Sequence, residues 1–432
     1  MWWAKGRKGM SMSADLQGHR LVILGSMDEF VRLTTLAKER GAYVIVCDGY
    51  SDGPAKAIAD KSYDIDVRDI DAIVDMCRAE LVDGVVSSFS DVLAESLAAV
   101  RVKLGMPVYL DPEKLRYLRD KTLMKEMFEE LDVPVPRSAV LRAESIREDL
   151  ARMTFPVVIK PTDSYGSRGV YLMRDEAQVV DCFAEVSCFS SDGCVLCEEY
   201  NDGFEFNMMN WVVDGEVVVL NVADREKTQG DALRTPYVSR IVYPSRLVDS
   251  VVDEARDIVA RVAGYLGMEN GPLCMQFFWS EERGIQVCEC AGRIFGYEHE
   301  LLDIAGGPLI EDVLLDSVYD QPAVVRALDG FDAHLPARSA GLYFHGRDGL
   351  IASIEGAPSE DDPAIAESLV YYAEGERIDR ESGGNKPYAA RFYLRADSFD
   401  ALDRMTEELF RTFRMKDEGG RDLLSENEIG RY

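Results

Sequence analysis

Short apolar runs alternate with helical patterns over the N-terminal part of the chain. Leu21–Gly25, Tyr43–Asp48 and Gly84–Phe89 have the length and composition of buried strands. Between and after them, Phe30–Arg40 and Asp91–Leu104 repeat apolar residues at the spacing of a helix. Strands that alternate with helices through short turns predict a parallel sheet covered on both faces, so this region is expected to be α/β.

The middle of the chain combines closely spaced strands with a few helices. Pro112–Leu131 and Leu247–Leu266 show helical spacing, and Asp214-Gly215 is a hairpin turn signal. The predicted strands are Phe155–Lys160, Val170–Met173, Val195–Tyr200, Glu205–Val213, Glu216–Ala223, Leu273–Trp279 and Gly284–Cys290. This succession predicts an α+β arrangement that contains hairpins.

The pattern changes again near Asp329, where short strands precede one helix. Ala340–His345, Gly349–Glu355 and Tyr388–Ala396 are strand-like, and Phe399–Phe413 is helical. These changes predict a flexible tail at 1–15, an α/β domain at 16–111, a central domain at 112–328 and a small α+β domain at 329–432.

Composition narrows the classes of function. Of 432 residues, 47% are hydrophobic and 29% are charged, which excludes disorder as the main state. Asp and Glu total 78 against 48 Lys and Arg, and the resulting net charge of −30 disfavours nucleic acid and anionic membranes as partners. The chain shows no apolar run of membrane-spanning length and no export signal, and its nine cysteines fit reduced thiols, so we expect a cytoplasmic location.

The segment Phe155–Val170 is the most informative for chemistry. A strand delivers Lys160 at its end, and a loop of small and polar residues follows. Gly166 and Gly169 permit backbone angles that let neighbouring amides point at one anion, and Lys160 adds a charge suited to phosphate. The sequence offers no structural partner for Lys160, so we expect its loss to affect binding rather than stability.

A dinucleotide site on the N-terminal sheet is an alternative interpretation. Asp48 follows the second strand, as a ribose-binding acid does in such sites. The turn after the first strand, however, contains Gly25 alone and places Asp28 and Glu29 where a pyrophosphate would bind. A dinucleotide-dependent oxidoreductase is therefore the weaker hypothesis.

Five segments of the central region together resemble an ATP-grasp ligase of the carboxylate–amine type, the superfamily that includes biotin carboxylase and carbamoyl-phosphate synthetase. In chain order they are Arg119–Pro136, Phe155–Val170, Val195–Phe206, Gly271–Phe277 and Val287–Arg293. The resemblance implies that 16–111 precedes a two-lobed ATP-grasp domain at 112–328, with a lid subdomain at about 133–203.

The resemblance implies ATP as cofactor and assigns residues to it. Lys121 and Lys160 would hold the phosphates from two sides. The loop Ser164–Gly169 would fold over the triphosphate, with Ser164, Gly166, Ser167 and Gly169 as its binding residues. Glu198, Tyr200 and Asn201 would surround the adenine, and Glu205 would bind the ribose.

The resemblance also implies Mg²⁺, with Mn²⁺ as an alternative, but the ligands depart from the family pattern. Glu289 matches the pattern, Gln276 stands where a Glu is usual, and Ala291 stands where an Asn is usual. One charge and one ligand are lost, which weakens the expected metal site. An ATP-binding pseudoenzyme is therefore kept as an alternative.

The resemblance implies that the protein activates a small-molecule carboxylate as an acyl-phosphate for attack by an amine, releasing ADP and phosphate. Arg293 would bind the carboxylate or acyl-phosphate, and Glu298 would act as a base or orient Arg293. The neighbouring His299 is interpreted as a buried histidine at a helix start. A homodimer is compatible with the resemblance.

Overall fold

A computed structural model describes residues 14–163, 169–228, 237–379 and 386–430. The strands are β1 (Arg20–Leu24), β2 (Tyr43–Asp48), β3 (Lys61–Asp64), β4 (Gly84–Val86), β5 (Ser138–Leu141), β6 (Val157–Pro161), β7 (Tyr171–Met173), β8 (Val195–Glu199), β9 (Phe204–Val213), β10 (Glu216–Lys227), β11 (Val238–Tyr243), β12 (Gly271–Pro272), β13 (Cys274–Ser280), β14 (Gly284–Ala291), β15 (Arg338–Phe344), β16 (Gly349–Leu350), β17 (Ser353–Glu355), β18 (Ile365–Val370), β19 (Arg377–Ile378), β20 (Ala390–Ala396) and β21 (Arg414–Lys416).

The α-helices lie between these strands. They are α1 (Val31–Glu39), α2 (Pro54–Ile58), α3 (Ile70–Ala79), α4 (Asp91–Leu104), α5 (Pro112–Leu115), α6 (Lys121–Glu130), α7 (Ile146–Leu150), α8 (Glu176–Ser187), α9 (Val248–Leu266), α10 (Glu300–Ile304), α11 (Ile310–Tyr319), α12 (Gln321–Leu328) and α13 (Phe399–Thr412). Short 3₁₀ helices occupy Asp28–Phe30 and Arg116–Leu118. In the described part of the chain, none of the helices combines the length and apolar character needed to cross a membrane.

The N-terminal strands form the predicted parallel sheet, in the order β3-β2-β1-β4. The central strand β1 is apolar from Leu21 to Leu24, and those four side chains are fully buried. Beyond β4, Phe89 pairs with Phe295 in an isolated parallel bridge. The carboxyl edge of this sheet is thereby attached to the central part of the molecule.

A long antiparallel sheet forms the centre, in the order β14-β13-β9-β10-β11-β15-β20-β18, with β12 beside β9. The rings of Phe206 and Phe277 stack with centroids 4.9 Å apart within its core. Strand β11 pairs with β15 through Arg240 and Leu342, so the sheet continues across residue 328 into the C-terminal strands. The domain bounds remain predictions, but the central and C-terminal parts share one sheet.

A smaller antiparallel sheet has the order β5-β8-β6-β7. Ile159 and Val195 from its strands pack with Phe183 of α8 in a separate apolar core. The strand pairing places Lys160 of β6 beside Leu196 of β8. This sheet therefore carries the predicted phosphate lysine and the predicted adenine segment on adjacent strands.

The largest difference from the sequence prediction concerns Pro112–Leu131, which is interrupted rather than one helix. Asp120 caps a new helix, α6, by accepting hydrogen bonds from the amides of Thr122 and Leu123 at 2.8 and 3.2 Å. The break places Lys121 in the first turn of α6, and its amide donates to the carbonyl of Thr162 at 3.0 Å.

Candidate active site

A cavity of about 1190 Å³ is lined by residues of both antiparallel sheets and by the segments before α4 and α6. It contains every predicted site residue that the structure describes: Lys121, Lys160, Gly169, Glu198, Tyr200, Asn201, Glu205, Gln276, Glu289, Arg293 and Glu298. Ser164, Gly166 and Ser167 lie outside the described residues. Residues separated by more than a hundred positions in the sequence are thus brought to one cavity.

Glu198 is held between two lysines on the inner side of the small sheet. Its Oε1 lies 2.5 Å from Nζ of Lys125, and its Oε2 contacts Nζ of Lys160. Burial opposes ionisation, but the two ammonium groups prevail and lower the pKa of Glu198 to about 2. Lys160 therefore has a structural partner, contrary to the expectation from sequence.

Two lysines lie at the cavity wall: Lys160 is buried and Lys121 is half-buried. Burial lowers the pKa of Lys121, an effect that Lys160 and Arg119 reinforce and Glu289 opposes. Burial also acts on Lys160, but Glu198 and other nearby groups raise its pKa above the ordinary value. Each of these lysines is close enough to disfavour the charge of the other. An anion that binds between them would stabilise both charges.

The segment after β8 presents backbone groups and fixed side chains. The amide of Tyr200 donates to the carbonyl of Pro156 at 2.9 Å. Asn201 donates to the side chain of Gln286 at 2.6 Å and accepts from the amide of Gly203 at 2.8 Å. The side chain of Asn201 thus shapes this turn, and any contact it makes with a base is a prediction.

Glu205 lies at the centre of a second ionic cluster and is almost fully buried. Its Oε1 accepts from Nε of Arg225 at 2.7 Å and from Nε2 of Gln276 at 2.6 Å, and its Oε2 contacts Nζ of Lys227. Arg225 and Lys227 therefore belong to the cavity lining. The ribose role of Glu205 stays a prediction.

The predicted metal ligands face each other across two strands. Gln276 of β13 is in register with Glu289 of β14, and both line the cavity. Because the carboxylate of Glu205 can only accept, the Gln276 amide nitrogen must face it, and the amide oxygen remains for another partner. Ala291 adds no donor, and the described residues contain no cluster of three or more metal-ligating His, Cys, Asp or Glu.

This donor set fits a cation that nucleotide phosphates hold in part. Mg²⁺ commonly binds through one or two carboxylates together with substrate phosphates. Glu289 supplies one carboxylate and Gln276 one neutral oxygen, which is sufficient for that mode. The same two donors do not make a closed site for a metal without nucleotide.

Arg293 forms a two-pronged ion pair with Asp91 at the start of α4. Nε lies 2.9 Å from Oδ1, and Nη2 donates to Oδ2 at 3.2 Å. Burial opposes the charge on Asp91, but Arg293 holds the pKa of that carboxyl below its ordinary value. The pair fixes the guanidinium plane where the N-terminal sheet meets the cavity.

Glu298 is nearly fully buried in the cavity wall. Asn207 donates to both of its oxygens, at 3.0 and 3.1 Å, and the hydroxyl of Tyr243 donates to Oε1 at 3.1 Å. Burial raises the pKa of Glu298, which Arg225 opposes from 3.8 Å. A carboxylate with a raised pKa is a stronger base than an ordinary carboxylate.

His299 is buried at the start of α10, as expected, and lies 3.1 Å from Glu311.

The turn after β1, where the alternative interpretation places a dinucleotide, is occupied by side chains of the protein itself. A side chain on Gly25 would lie 2.4 Å from the ring of Phe30, and Asp48 accepts a hydrogen bond from Ser26 at 3.0 Å. The structure therefore gives no support to the dinucleotide alternative.

Sequence reasoning missed several partners of the predicted residues. Lys125 follows Lys121 by four residues on α6, so helical spacing could have indicated it. Asp91 and Tyr243 meet their partners across the fold, and no local pattern connects them to Arg293 or Glu298.

Known proteins resemble this chain in sequence. Residues 153–299 match the family model of the ATP-grasp domain. The uncharacterised protein y4rH of Sinorhizobium fredii is 26% identical over 278 residues, which are 62% of this chain and 55% of that protein. The N5-carboxyaminoimidazole ribonucleotide synthase of Pseudomonas aeruginosa is 27% identical over 284 residues, which are 60% of this chain and 73% of the synthase. The chain thus spans between about half and three quarters of these relatives.

The fold is also similar to that of solved structures. The L-amino acid ligase of Bacillus licheniformis superposes with a TM-score of 0.77, covering 93% of this chain and 99% of the ligase at 16% identity. Identity at this level shows the fold alone. The predicted fold class, an N-terminal parallel sheet followed by α+β parts, is confirmed by the strand pairing and by this likeness.

Proposed function

We propose, from the premise that this chain contains an ATP-grasp domain, that it is an ATP-dependent ligase that joins a small-molecule carboxylate to an amine. The observation that supports the proposal is the single cavity lined by cations, carboxylates and the segment after β8. ATP supplies the energy, and the products are the C–N bond, ADP and phosphate.

Lys121 and Lys160 bind the phosphates, and the turn at Tyr200 and Asn201 lies against the base. Charge-assisted bonds from two lysines on different elements bring the negative oxygens together and offset their repulsion. Glu198 keeps Lys160 charged and fixes its direction. Glu205 contacts the ribose. It is also bonded to Arg225, Lys227 and Gln276, so it fixes the positions of these three side chains in the cavity.

Glu289 and the amide oxygen of Gln276 are the residues that would hold Mg²⁺, and Mn²⁺ prefers similar donors. A bound divalent cation would neutralise charge on the phosphates. The single carboxylate makes metal affinity depend on the nucleotide. This arrangement is compatible with turnover and does not require the pseudoenzyme alternative.

The reaction proceeds in two balanced steps. An oxygen of the substrate carboxylate attacks the γ-phosphorus, the bond to the β-phosphate oxygen breaks, and ADP leaves. The amine then attacks the acyl carbon, phosphate leaves with that carboxylate oxygen, and the amine proton passes to Glu298. Arg293, fixed by Asp91, orients the carboxylate and offsets charge on the acyl-phosphate.

We further propose a cytoplasmic location, and a homodimer is compatible with the fold.

The test is ADP release by the full chain against a panel of carboxylates and amines. ADP release that requires both co-substrates and yields a C–N product is expected.

Arg293→Ala should lower this activity at least about a hundredfold while ATP still binds, because a fixed charge at the reacting group is lost. Lys103→Ala breaks an exposed ion pair outside the cavity and serves as the control. ATP binding without ADP release for any pair would support the pseudoenzyme alternative instead.

A further inference from the structure

The backbone between Arg293 and Glu298 links the two residues to which the proposed reaction assigns roles at the acyl group. Only four residues separate them in the chain. The side chain of Arg293 is held by Asp91, and the carboxylate of Glu298 is held by Asn207 and Tyr243. The course of this short connection therefore decides whether both side chains reach the same substrate.

Tyr297, the residue before Glu298, has an unusual backbone conformation. Its φ is +57°, a region that bulky residues rarely adopt. Such a conformation persists only where the surroundings enforce it, and it is concentrated at functional sites. Gly296 is closely enclosed as well, because a Cβ atom at this position would lie 2.3 Å from Oε2 of Glu29 and 3.1 Å from Cβ of Phe89. The surroundings thus determine the path of the chain into Glu298.

Two tyrosine hydroxyls meet the carbonyl oxygen of Tyr297. The hydroxyl of Tyr343 donates to it at 2.6 Å, and the hydroxyl oxygen of Tyr393 also lies 2.6 Å from it. The hydroxyl of Tyr393 lies 3.1 Å from Oε2 of Glu300 too, but two oxygens 2.6 Å apart require a proton between them. Tyr393 therefore donates to the carbonyl, whose two lone pairs accept both hydrogen bonds.

The two tyrosines come from neighbouring strands of the C-terminal part. Tyr343 belongs to β15 and Tyr393 to β20, and the strand pairing places Gly341 opposite Tyr393. A Cβ atom at Gly341 would lie 2.6 Å from the hydroxyl oxygen of Tyr343, so glycine leaves the space that this hydroxyl occupies. Both tyrosines are almost fully buried, and bulk water therefore does not compete for the carbonyl of Tyr297.

The carbonyl that the tyrosines hold belongs to the peptide unit between Tyr297 and Glu298. Because a peptide unit is planar, the direction of its carbonyl also fixes the amide and the Cα atom that follow. Two hydrogen bonds to one oxygen define that direction more closely than a single bond would. Glu298 is thus held at its backbone by Tyr343 and Tyr393, in addition to the contacts of its carboxylate.

We infer that Tyr343 and Tyr393 are positioning residues for the attack of the amine. The inference rests on the proposed function, in which Glu298 receives the amine proton. Neither tyrosine is among the described residues that line the cavity, and both act through the backbone of Glu298. The C-terminal strands thereby contribute to the second chemical step.

A displaced Glu298 should separate ADP release from formation of the C–N bond. Formation of the acyl-phosphate does not use Glu298, so ADP is still released. When proton transfer from the amine slows, water attacks the acyl carbon instead, phosphate leaves, and the carboxylate is regenerated with one oxygen from water. The ratio of C–N product to ADP, which should be close to one in the wild type, is therefore the quantity that reports the position of Glu298.

The test measures this ratio for Tyr343→Phe and Tyr393→Phe in the full chain, with the carboxylate and amine from which the wild type forms product. Each variant loses one hydroxyl, and the ratio should fall at least about threefold while the KM for ATP stays unchanged. Tyr319→Phe is the matched control, because its hydroxyl donates to Asp83 at 3.1 Å away from the cavity lining. Thermal unfolding checks that each variant is folded, and either Phe variant suffices if the other does not fold.

A double-mutant cycle separates positioning from a general loss of stability. Glu298→Gln should lower the ratio by itself, and Tyr343→Phe should change it less than about twofold further in that background, since its effect passes through Glu298. Unchanged ratios in both Phe variants, or an undiminished effect in the Glu298→Gln background, would overturn the inference and leave the proposed function intact. Absence of a C–N product from the wild type with every pair would overturn the proposed function and the inference with it.

Discussion

At the scale of single residues, Lys160 combines an observed structural contact with a proposed role in phosphate binding. Glu198 accepts contacts from Lys125 on one side and Lys160 on the other. Only Lys160 of these two lines the cavity. The sequence predicted Lys160 from a strand end and a glycine-containing loop, but the carboxylate that holds it comes from another strand and has no signal in that segment.

Lys160→Ala should weaken ATP binding by about 1.5–3 kcal/mol, because a charge-assisted phosphate contact is lost. It should also destabilise the fold, since buried Glu198 keeps only Lys125. Lys125→Ala removes the other contact to the same carboxylate and is the matched control. Calorimetric ATP affinities and thermal unfolding of both variants provide the measurement. Equal ATP affinities in the two variants would mean that Lys160 has a structural role only.

Gln276→Glu should destabilise the protein without nucleotide and should strengthen the effect of Mg²⁺ on ATP binding. Without nucleotide, a carboxylate would replace a donor that lies 2.6 Å from Glu205, and like-charge repulsion should lower the free energy of unfolding by about 1–3 kcal/mol. With ATP, the added charge should strengthen the dependence of nucleotide affinity on Mg²⁺. The double variant, which also carries Ala291→Asn, should show a still stronger dependence. Ala291→Asn alone is the control, and an Mg²⁺ dependence unchanged in the double variant would count against these metal ligands.

At the scale of elements, most strands and helices follow from local pattern, whereas their arrangement does not. α4 spans Asp91–Leu104, as predicted, and α9 and α13 differ from prediction by one residue at one end. The pairing of β11 with β15, which joins the central and C-terminal parts, brings together strands separated by about a hundred residues. No periodicity in either strand specifies its partner.

The helix α13 is attached to this junction through a buried arginine. Arg240 of β11 is fully buried, and its Nη2 donates to Asp403 of α13 at 2.8 Å. Asp403→Asn should lower the free energy of unfolding by about 1–3 kcal/mol, because Arg240 loses a charged partner. Glu407→Gln on the exposed side of the same helix is the control. The free energies of unfolding of both variants are measured with denaturant. Equal values for the two variants would contradict this role.

At the scale of the whole molecule, the cavity is assembled where the N-terminal sheet, the small sheet and the central sheet meet. Ten of the eleven predicted site residues that line the cavity lie in the five segments that resemble the family, and Glu298 follows the last of these segments. The partners Asp91, Asn207 and Tyr243 were not predictable, since they depend on the way these parts pack. The bridge between Phe89 and Phe295 was missed for the same reason, because only the fold brings these two segments together.

The junction between the N-terminal sheet and the cavity should also make stability depend on pH. Burial raises the pKa of Glu29, with His299 opposing, to about 8. The folded state then retains a proton that the unfolded state loses above its ordinary pKa of about 4.5, so stability should fall as pH rises from about 4.5 to 8, by at most about 1.4 kcal/mol per pH unit. Glu29→Gln should remove this part of the decline. Denaturant midpoints at several pH values measure it, and parallel profiles for wild type and variant would contradict it.

The most direct test of the central claim follows an oxygen atom. A carboxylate co-substrate that supports ADP release is labelled with ¹⁸O in its carboxyl group, and the phosphate produced is analysed by mass spectrometry. Activation as an acyl-phosphate predicts one ¹⁸O atom in each phosphate, because the attacking oxygen leaves with the phosphorus when the amine forms the C–N bond. Phosphate without the label, formed at the same rate as the product, would contradict the account.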